Sequence, residues 1–161
     1  MAISVGDKVP SGAFMTMTAE GPKPVSSDEL FSGKKVVLFG LPGAFTPTCS
    51  AKHVPGYVQN ADALKAKGVD TIACMSVNDA FVMGAWGKDQ GAGDKVMMLA
   101  DGSADYAKAL GLDLDLSARG MGVRATRFSM LVEDGVVKSV NVEPNPGEAE
   151  ASGAEAMLAS L

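Results

Sequence analysis

Short apolar runs alternate with segments of helical periodicity through the middle of the chain. Three runs, Val36–Gly40, Val69–Val77 and Val96–Ala100, are mostly apolar, which is typical of strands covered on both faces. The segments after the first two runs, from about Cys49 to Lys67 and from Asp79 to about Gln90, place apolar residues three and four positions apart. This alternation predicts a largely parallel sheet between layers of helices.

The pattern changes at the two ends of the chain. The first 35 residues predict an irregular or hairpin-like entry, with Phe14–Thr18 as a strand and Glu20-Gly21-Pro22 as a turn. Near the other end, Asp134-Gly135 lies between the strand-like runs Arg127–Glu133 and Val136–Val142. This dipeptide is a strong hairpin signal, so a second hairpin is expected there.

Polar residues and breakers predict where the helices begin and bend. Ser26-Ser27-Asp28-Glu29 fits a capping box for a short helix around residues 28–31. Asn78 is expected to cap the second long helix, and Ser103 a short helix to residue 110. Pro55 should kink the first long helix. Residues 111–125 are expected to form a loop, and a last helix should begin at about Glu150.

The predicted order from residue 36 onward is β-α-β-α-β-α-β-β-α, a thioredoxin-like order with one extra β-α insertion. We therefore expect an α/β fold with a central mixed sheet flanked by helices, in one domain over residues 1–161. Open α/β sheets place their sites at the carboxyl ends of central strands. A functional site is therefore predicted in the loop after Val36–Gly40.

Composition and charge narrow the classes of function. The chain has 161 residues, of which 47% are hydrophobic, and a formal net charge of −5. The negative charge argues against nucleic acid or an anionic membrane surface as a partner, and no apolar run is long enough to span a membrane. The first ten residues are not expected to form a signal peptide, and two cysteines are not expected to form a disulfide framework. A reducing compartment, the cytoplasm, is therefore expected.

The stretch after the first apolar strand carries the main candidate for chemistry. A loop containing Gly and Pro ends at Cys49, where a helix is expected to begin. Free backbone N–H groups and the positive end of the helix dipole favour a thiolate at such a position. Thioredoxin-like proteins usually carry C-x-x-C at this corner, but here Thr46 replaces the first cysteine. A hydroxyl suits the orientation of a small polar substrate and cannot form a local disulfide.

The same stretch resembles a family signature. Pro42-Gly43-Ala44-Phe45-Thr46-Pro47-Thr48-Cys49-Ser50 is similar to the P-x-x-x-T-x-x-C signature of peroxiredoxins, in the form found in the type II group. Further similar motifs follow in colinear order over nearly the whole chain, at residues 53–57, 76–83, 85–88, 99–101, 127–130 and 134–137. The resemblance implies a thioredoxin-like fold with peroxiredoxin-type insertions. It also implies a thiol peroxidase acting on hydrogen peroxide and small alkyl hydroperoxides.

The resemblance implies a role for each residue of the site. Cys49 matches the cysteine that attacks the peroxide and becomes a sulfenic acid. Thr46 matches the hydroxyl that hydrogen-bonds the thiolate and the peroxide, and Pro42 matches the residue that shields the sulfur from water. Arg127 is expected to hold the thiolate and polarise the peroxide, with Gly43 in the substrate-binding set. No cofactor and no metal are implied.

Recycling of the sulfenic acid is a separate question. Cys74 lies in an apolar strand, where core packing and a resolving role both stay open. Residues 143–161 contain no cysteine, unlike the corresponding segment of animal peroxiredoxin 5 proteins. The resemblance to type II relatives therefore implies an external reductant, glutaredoxin with glutathione or thioredoxin. It also implies a homodimer packed near the active-site loops. Phe45, Phe81 and Trp86 are candidates for the mouth of the pocket or a dimer face, and equally for the ordinary core.

Other classes of function stay open on the residues alone. A thiol-disulfide oxidoreductase would use Cys49 without peroxide, and a non-catalytic thioredoxin-fold binding or chaperone module would not need it. His53, four residues after Cys49, could form a Cys–His hydrolase pair, although capping or core packing is the simpler interpretation. Two cysteines and one histidine at spacings of four and 21 make no recognisable zinc site.

Overall fold

The computed structural model of the protein describes residues 2–161, which form one seven-stranded mixed sheet with helices on both faces and a separate two-stranded sheet. The strands are β1 (Ala13–Thr18), β2 (Gly21–Ser26), β3 (Lys35–Gly40), β4 (Thr71–Ser76), β5 (Met97–Ala100), β6 (Asp113–Asp115), β7 (Val123–Ala125), β8 (Phe128–Glu133) and β9 (Val136–Val142). The α-helices are α1 (Ser27–Phe31), α2 (Val54–Gln59), α3 (Ala61–Ala66), α4 (Ala80–Asp89), α5 (Asp105–Leu110) and α6 (Ala154–Ser160). None of the helices in this part of the chain has the length and apolar character needed to cross a membrane.

The order of the strands brings two distant parts of the chain together. The large sheet runs β2-β1-β5-β4-β3-β8-β9, with β3, β4 and β5 parallel and the other pairs antiparallel. β3 is central and pairs with β8 so that Gly40, its last residue, lies opposite Phe128, the first residue of β8. The loop after Gly40 therefore starts beside Arg127, although 87 positions separate residues 40 and 127.

The apolar runs are continuous because both faces of the sheet are covered. In β3, Val37 and Phe39 pack into one core cluster, while Val36 and Leu38 pack into the other. The first cluster also contains Tyr57 of α2, Leu64 of α3 and Trp86 of α4, and the second contains residues of α1 and α5. These observations confirm the predicted thioredoxin-like α/β architecture with a central mixed sheet flanked by helices.

Both predicted hairpins are present. Asp134 and Gly135 have φ angles of 47° and 77° and connect β8 to β9, as a two-residue hairpin loop requires. In the entry hairpin, the turn ends earlier than predicted, because Gly21 and Pro22 already belong to β2. The strand tolerates Pro22 and Pro24 because it lies at the edge of the sheet, where one row of backbone N–H groups needs no partner.

Two predicted helix caps are wrong. α4 is capped by Asp79, whose Oδ1 accepts from the Val82 N–H at 2.8 Å, while Asn78 bonds elsewhere. Ser103 does not cap α5. The Asp101 carboxylate instead accepts hydrogen bonds from the N–H groups of Tyr106 and Ala107 in the first turn of that helix. Ser, Asn and Asp can all accept hydrogen bonds from the first N–H groups of a helix. The sequence pattern therefore does not show which of several neighbouring polar residues caps the helix.

Three other boundaries differ from prediction. Residues 111–125 are not a plain loop, because β6 and β7 pair within them around a short 3₁₀ turn at Ser117–Arg119. The last helix begins at Ala154 rather than Glu150.

The first long helix is divided into a π-helical turn at Cys49–His53, then α2, then α3. The π-helical turn lies directly before Val54 and Pro55, and in it the Val54 N–H donates to the Cys49 carbonyl. The kink at Pro55 stays a prediction.

Gly40→Ala tests the close packing at the junction of β3 and β8. A Cβ at Gly40 would lie 2.2 Å from a ring carbon of the fully buried Phe128. We expect the substitution to lower the free energy of unfolding in urea by about 1–3 kcal/mol, because a well-packed core resists added volume. Gly56→Ala is the control, since its Cβ would meet only Ala154 at 4.0 Å within α2, and it should stabilise by up to about 1 kcal/mol. Equal stability of the two variants would contradict this account.

Candidate active site

The loop between β3 and the π-helical turn forms one wall of the site. Pro42 and Gly43 are buried, and the Ala44 N–H donates to Asn78 Oδ1 at 2.9 Å. Asn78 therefore ties this loop to the end of β4, which is why it is not available as a helix cap. Phe45 has a φ of 63°, an uncommon conformation for a residue with a side chain, and its ring is 55% exposed.

Cys49 lies where the sequence predicts it, in the first turn of the helical segment. Pro47 and Thr48 are already helical, and Cys49 begins the π-helical turn with its side chain fully buried. Its Sγ accepts a hydrogen bond from Arg127 Nη2 at 3.0 Å. The structure thus brings together two residues of the predicted site that are 78 positions apart in sequence.

Arg127 is the centre of the hydrogen-bond network. Its buried guanidinium donates from Nε to the Pro146 carbonyl at 2.9 Å, from Nη1 to His53 Nδ1 at 2.9 Å and from Nη2 to Cys49 Sγ. Within residues 2–161, no carboxylate lies within 4.0 Å of this group. A buried cation is stabilised by an anionic partner, and Cys49 Sγ is the one of these three acceptors that can carry a negative charge.

His53 orients Arg127 rather than acting as a base for Cys49. Its Nε2 lies 3.1 Å from the Ser152 carbonyl, which can only accept, so the proton is on Nε2 and Nδ1 is the acceptor for Arg127. Burial and then the charge of Arg127 lower the pKa of His53 to about 3, so the imidazole stays neutral. The Cys–His pair considered from the sequence is therefore not formed. This orienting role was not predicted, because it depends on contacts 74 and 99 positions away.

A hydrogen bond between Thr46 and Gly43 changes the role expected for the Thr46 hydroxyl. Thr46 Oγ1 donates to the Gly43 carbonyl at 2.6 Å, and a hydroxyl has only one hydrogen. Thr46 therefore does not donate to the Cys49 sulfur as the resemblance implied, while its lone pairs remain able to accept. A Cβ at Gly43 would lie 2.9 Å from Arg124 Nη1 and 3.3 Å from the Thr46 methyl group, so the position has no room for a side chain.

Arg124 supports the loop from outside. Its Nε donates to the Met121 carbonyl at 2.8 Å and its Nη1 to the Pro42 carbonyl at 3.3 Å. Pro42, which is itself buried, is therefore held in place by a second guanidinium. These two bonds show that the Arg124 guanidinium supports the loop instead of extending into solvent.

Cys74 is a buried residue of the central sheet. It lies in β4 between Phe39 of β3 and Met98 of β5 and belongs to the same core cluster as Cys49. The two thiols are free. Burial, and secondarily the neighbourhood of Cys49, raise the pKa of the Cys74 thiol, which disfavours the thiolate needed for disulfide exchange.

Comparisons with known proteins agree over the whole length of the chain. The profile of the Redoxin family matches residues 4–158. Peroxiredoxin-2B of Arabidopsis thaliana is 50% identical over 160 residues, covering 99% of this chain and 98% of that protein. The chloroplastic Peroxiredoxin-2E of the same plant is 50% identical over 164 residues, 99% of this chain and 70% of that protein. Reduced Prx3 from Vibrio vulnificus, solved in complex with hydrogen peroxide, has a TM-score of 0.93 and 52% identity, with 98% of each chain covered.

The chain belongs to the Redoxin family, because that family's profile covers nearly all of its residues. The relatives narrow this class: the chain is a peroxiredoxin of the type II group and hence a thiol peroxidase. The family, fold and class of activity predicted from the motifs around Cys49 are thereby confirmed.

The neutral state of His53 predicts a pH dependence of stability. The pKa of about 3 in the folded protein lies below the ordinary 6.5, so as the pH falls the unfolded chain binds this proton first. The free energy of unfolding should therefore be fully present above pH 6.5 and should fall by up to about 2 kcal/mol between pH 6.5 and 4.5.

His53→Gln isolates this contribution, because glutamine keeps a donor for the Ser152 carbonyl and does not titrate. We expect chemical denaturation at several pH values to give a flatter dependence for His53→Gln than for the wild type in that window. Carboxylates titrate alike in both proteins. Parallel pH dependences would show that His53 is protonated at a similar pH in the folded and unfolded states.

Proposed function

We propose that the protein reduces hydrogen peroxide and small alkyl hydroperoxides with Cys49 as the nucleophile. The observation that carries this proposal is the 3.0 Å hydrogen bond from the buried Arg127 guanidinium to Cys49 Sγ. The thiolate is the nucleophilic form of cysteine, and an adjacent cation favours it. The complex of the Vibrio vulnificus relative with hydrogen peroxide supports the choice of substrate.

The reaction is a displacement on oxygen. Cys49 Sγ forms a bond to one peroxide oxygen as the O–O bond breaks, and the sulfur is oxidised to a sulfenic acid. The other oxygen leaves with the electron pair, takes up a proton and departs as water or an alcohol. N–H groups of Arg127 stabilise the negative charge that develops on the leaving oxygen. The lone pairs of Thr46 Oγ1 accept the peroxide O–H, because its own hydrogen is used on Gly43.

Pro42 and Gly43 belong to the loop that leads to Cys49. Both are buried, and the absence of a side chain at Gly43 keeps the Arg124 and Thr46 side chains in place. Exclusion of water by these residues would strengthen the electrostatic contribution of Arg127 to peroxide reduction. We assign these two residues to substrate binding and shielding on that basis.

An external thiol is the reductant that we propose for the sulfenic acid. Cys74 is fully buried, and its raised pKa argues against a resolving role. The sulfenic acid would condense with a first thiol to a mixed disulfide and water, and a second thiol would release Cys49 as the thiol with a new disulfide. Glutaredoxin with glutathione, or thioredoxin, supplies such thiols.

Two single substitutions test the assignment of the cysteines. Cys49→Ser should reduce peroxide consumption to the uncatalysed rate, because serine is not ionised near neutral pH. Cys74→Ser should keep turnover close to that of the wild type, because the thiol is a packing group. Both proteins, with the wild type, are assayed for loss of peroxide with glutathione and glutaredoxin and, separately, with thioredoxin and its reductase.

The same assays distinguish the other classes of function. Turnover by Cys49→Ser would overturn the proposal, and loss of turnover in Cys74→Ser would establish an essential resolving thiol. Reduction of insulin disulfides in the absence of peroxide would instead indicate a thiol-disulfide oxidoreductase. Retention of all biological function by Cys49→Ser would indicate a binding or chaperone module.

We also propose a homodimer that packs near the active-site loops. Phe45 and Phe81 are 55% and 66% exposed, which is unusual for such large apolar side chains. Phe45 lies on the loop before Cys49, with its ring centroid 6.3 Å from that of Trp86 in α4, and Phe81 lies at the start of α4. Aromatic residues are enriched in protein–protein interfaces. Trp86 is fully buried and donates to Ser50 Oγ at 3.1 Å, so it supports this region from beneath.

Phe81→Glu tests the position of this interface. The charge should shift the population from dimer toward monomer in analytical ultracentrifugation, because an unpaired carboxylate opposes burial. Val5→Glu is the control, since Val5 is 64% exposed on the N-terminal segment and bears the same change of charge. A wild type that is monomeric at micromolar concentration would overturn the proposal, and a Phe81→Glu protein that stays dimeric would overturn this position for it.

A reducing compartment, the cytoplasm, is the location that we propose. Both cysteines are free, as is usual for proteins that work among cellular thiols. The thiol reductants of the proposed cycle are also available there.

A further inference from the structure

The segment after β9 folds back over the active site. Residues 143–153, which we call the strap, lie between β9 and α6 and belong to neither a helix nor a strand. Three carbonyl groups of the strap bond to residues of the site. The Pro146 carbonyl accepts from Arg127, the Gly147 carbonyl accepts from Thr48 Oγ1 at 2.7 Å, and the Ser152 carbonyl accepts from His53.

The strap is therefore part of the mechanism that fixes the Arg127 guanidinium. Two of the three acceptors of Arg127 depend on it: Pro146 directly, and His53 through the Ser152 carbonyl. The Ser152 carbonyl also accepts from the Tyr57 hydroxyl at 2.7 Å. If the strap moved, Arg127 would lose its orientation toward Cys49 even though the residue itself remained.

One buried carboxylate holds the strap in place. Glu143 is only 4% exposed, and its Oε1 accepts from the Ala151 N–H at 3.2 Å. Its Oε2 accepts from both the N–H, at 2.7 Å, and the hydroxyl of Ser152. Glu143 thus closes an 11-residue segment onto its own first residue. In the described part of the chain, no Lys, Arg or His nitrogen lies within 4.0 Å of this carboxylate.

The ionised form of Glu143 is the one that fits these contacts. Burial of the carboxyl opposes ionisation, but the hydrogen bonds from the Ser152 hydroxyl and from backbone N–H groups outweigh it and hold the pKa below its ordinary value. All the groups that face the two oxygens are donors. The carboxylate therefore acts as an acceptor at every contact, and its exchange for an amide would set an NH₂ group against donors.

We propose that Glu143 is a positioning residue for Arg127, which it holds in register with Cys49 by closing the strap onto the Ser152 backbone. This inference rests on the proposed role of Cys49 as the nucleophile. Glu143 itself touches neither the sulfur nor Arg127 by its side chain, so it acts through Ser152, His53 and the Pro146 carbonyl. The site of peroxide chemistry consequently includes a carboxylate that no pattern around Cys49 would point to.

Glu143→Gln is the direct test, with Glu148→Gln as its matched control. Glu148 is exposed on the same strap, so its substitution removes the same charge without the buried contacts. Two quantities are measured: kcat/KM for hydrogen peroxide, and the pH at which half of Cys49 is thiolate, followed by the ultraviolet absorbance of the thiolate against a Cys49→Ser blank. Ser152→Ala is measured too, because it keeps the backbone contacts and removes one donor.

We expect Glu143→Gln to lower kcat/KM for peroxide by about tenfold to a hundredfold, because the misplaced guanidinium no longer serves the sulfur. The thiolate midpoint should rise by roughly half a pH unit or more, because the nearby cation favours the thiolate less. A purely structural role for Glu143 would lower thermal stability without moving that midpoint. Glu148→Gln should match the wild type in both quantities, and Ser152→Ala should change both in the same direction as Glu143→Gln but by less.

Agreement of Glu143→Gln with Glu148→Gln in both measurements would overturn the inference. If Glu143→Gln does not fold, Ser152→Ala decides, and wild-type values for that variant would likewise overturn it. A wild type that consumes no peroxide would instead overturn the proposed function, so the two failures are distinguishable.

Discussion

The guanidinium of Arg127 is a buried positive charge whose three hydrogen-bond acceptors are a backbone carbonyl, a neutral imidazole and a sulfur. Removing a cation from water costs several kcal/mol unless the protein returns the lost interactions. The carbonyl and His53 return hydrogen bonds but no negative charge, and a carboxylate would neutralise the arginine and weaken its effect on the sulfur. Of the three acceptors, the sulfur of Cys49 is the one that can carry a negative charge, so the arrangement directs the buried cation at this atom.

The fold brings this pair together through one strand pairing. Because β3 and β8 are antiparallel neighbours, the end of β3 and the start of β8 meet, and the loop carrying Pro42, Thr46 and Cys49 leaves the sheet beside Arg127. The contact of Gly40 with Phe128 fixes how close the two strands approach at this point. Peroxidase chemistry and packing of the sheet are therefore linked: a change of register at β8 would remove the cation from the site.

The parts of the fold that could be predicted from the sequence are those with local causes. Strand β3 can be recognised by its continuous run of apolar residues. The hairpin at Asp134-Gly135 can be recognised because only a few residue types adopt such a turn. Cys49 and Arg127 could be named because their motifs resemble a family signature. The contributions of His53 and Glu143 could not, because they arise from bonds between segments far apart in the chain. The misassigned caps at Asn78 and Ser103 have the same origin, since Asn78 instead holds the active-site loop.

The two edges of the large sheet are protected from pairing with another strand in different ways. At one edge, Pro22 and Pro24 of β2 lack N–H groups, and Lys23 between them carries charge, so this edge is a poor template for another strand. At the other edge, the N-terminal segment bonds to the first part of β9, where the Val137 N–H donates to the Asp7 carbonyl. Edge-to-edge pairing with another sheet is therefore disfavoured along β2 and at the first part of β9.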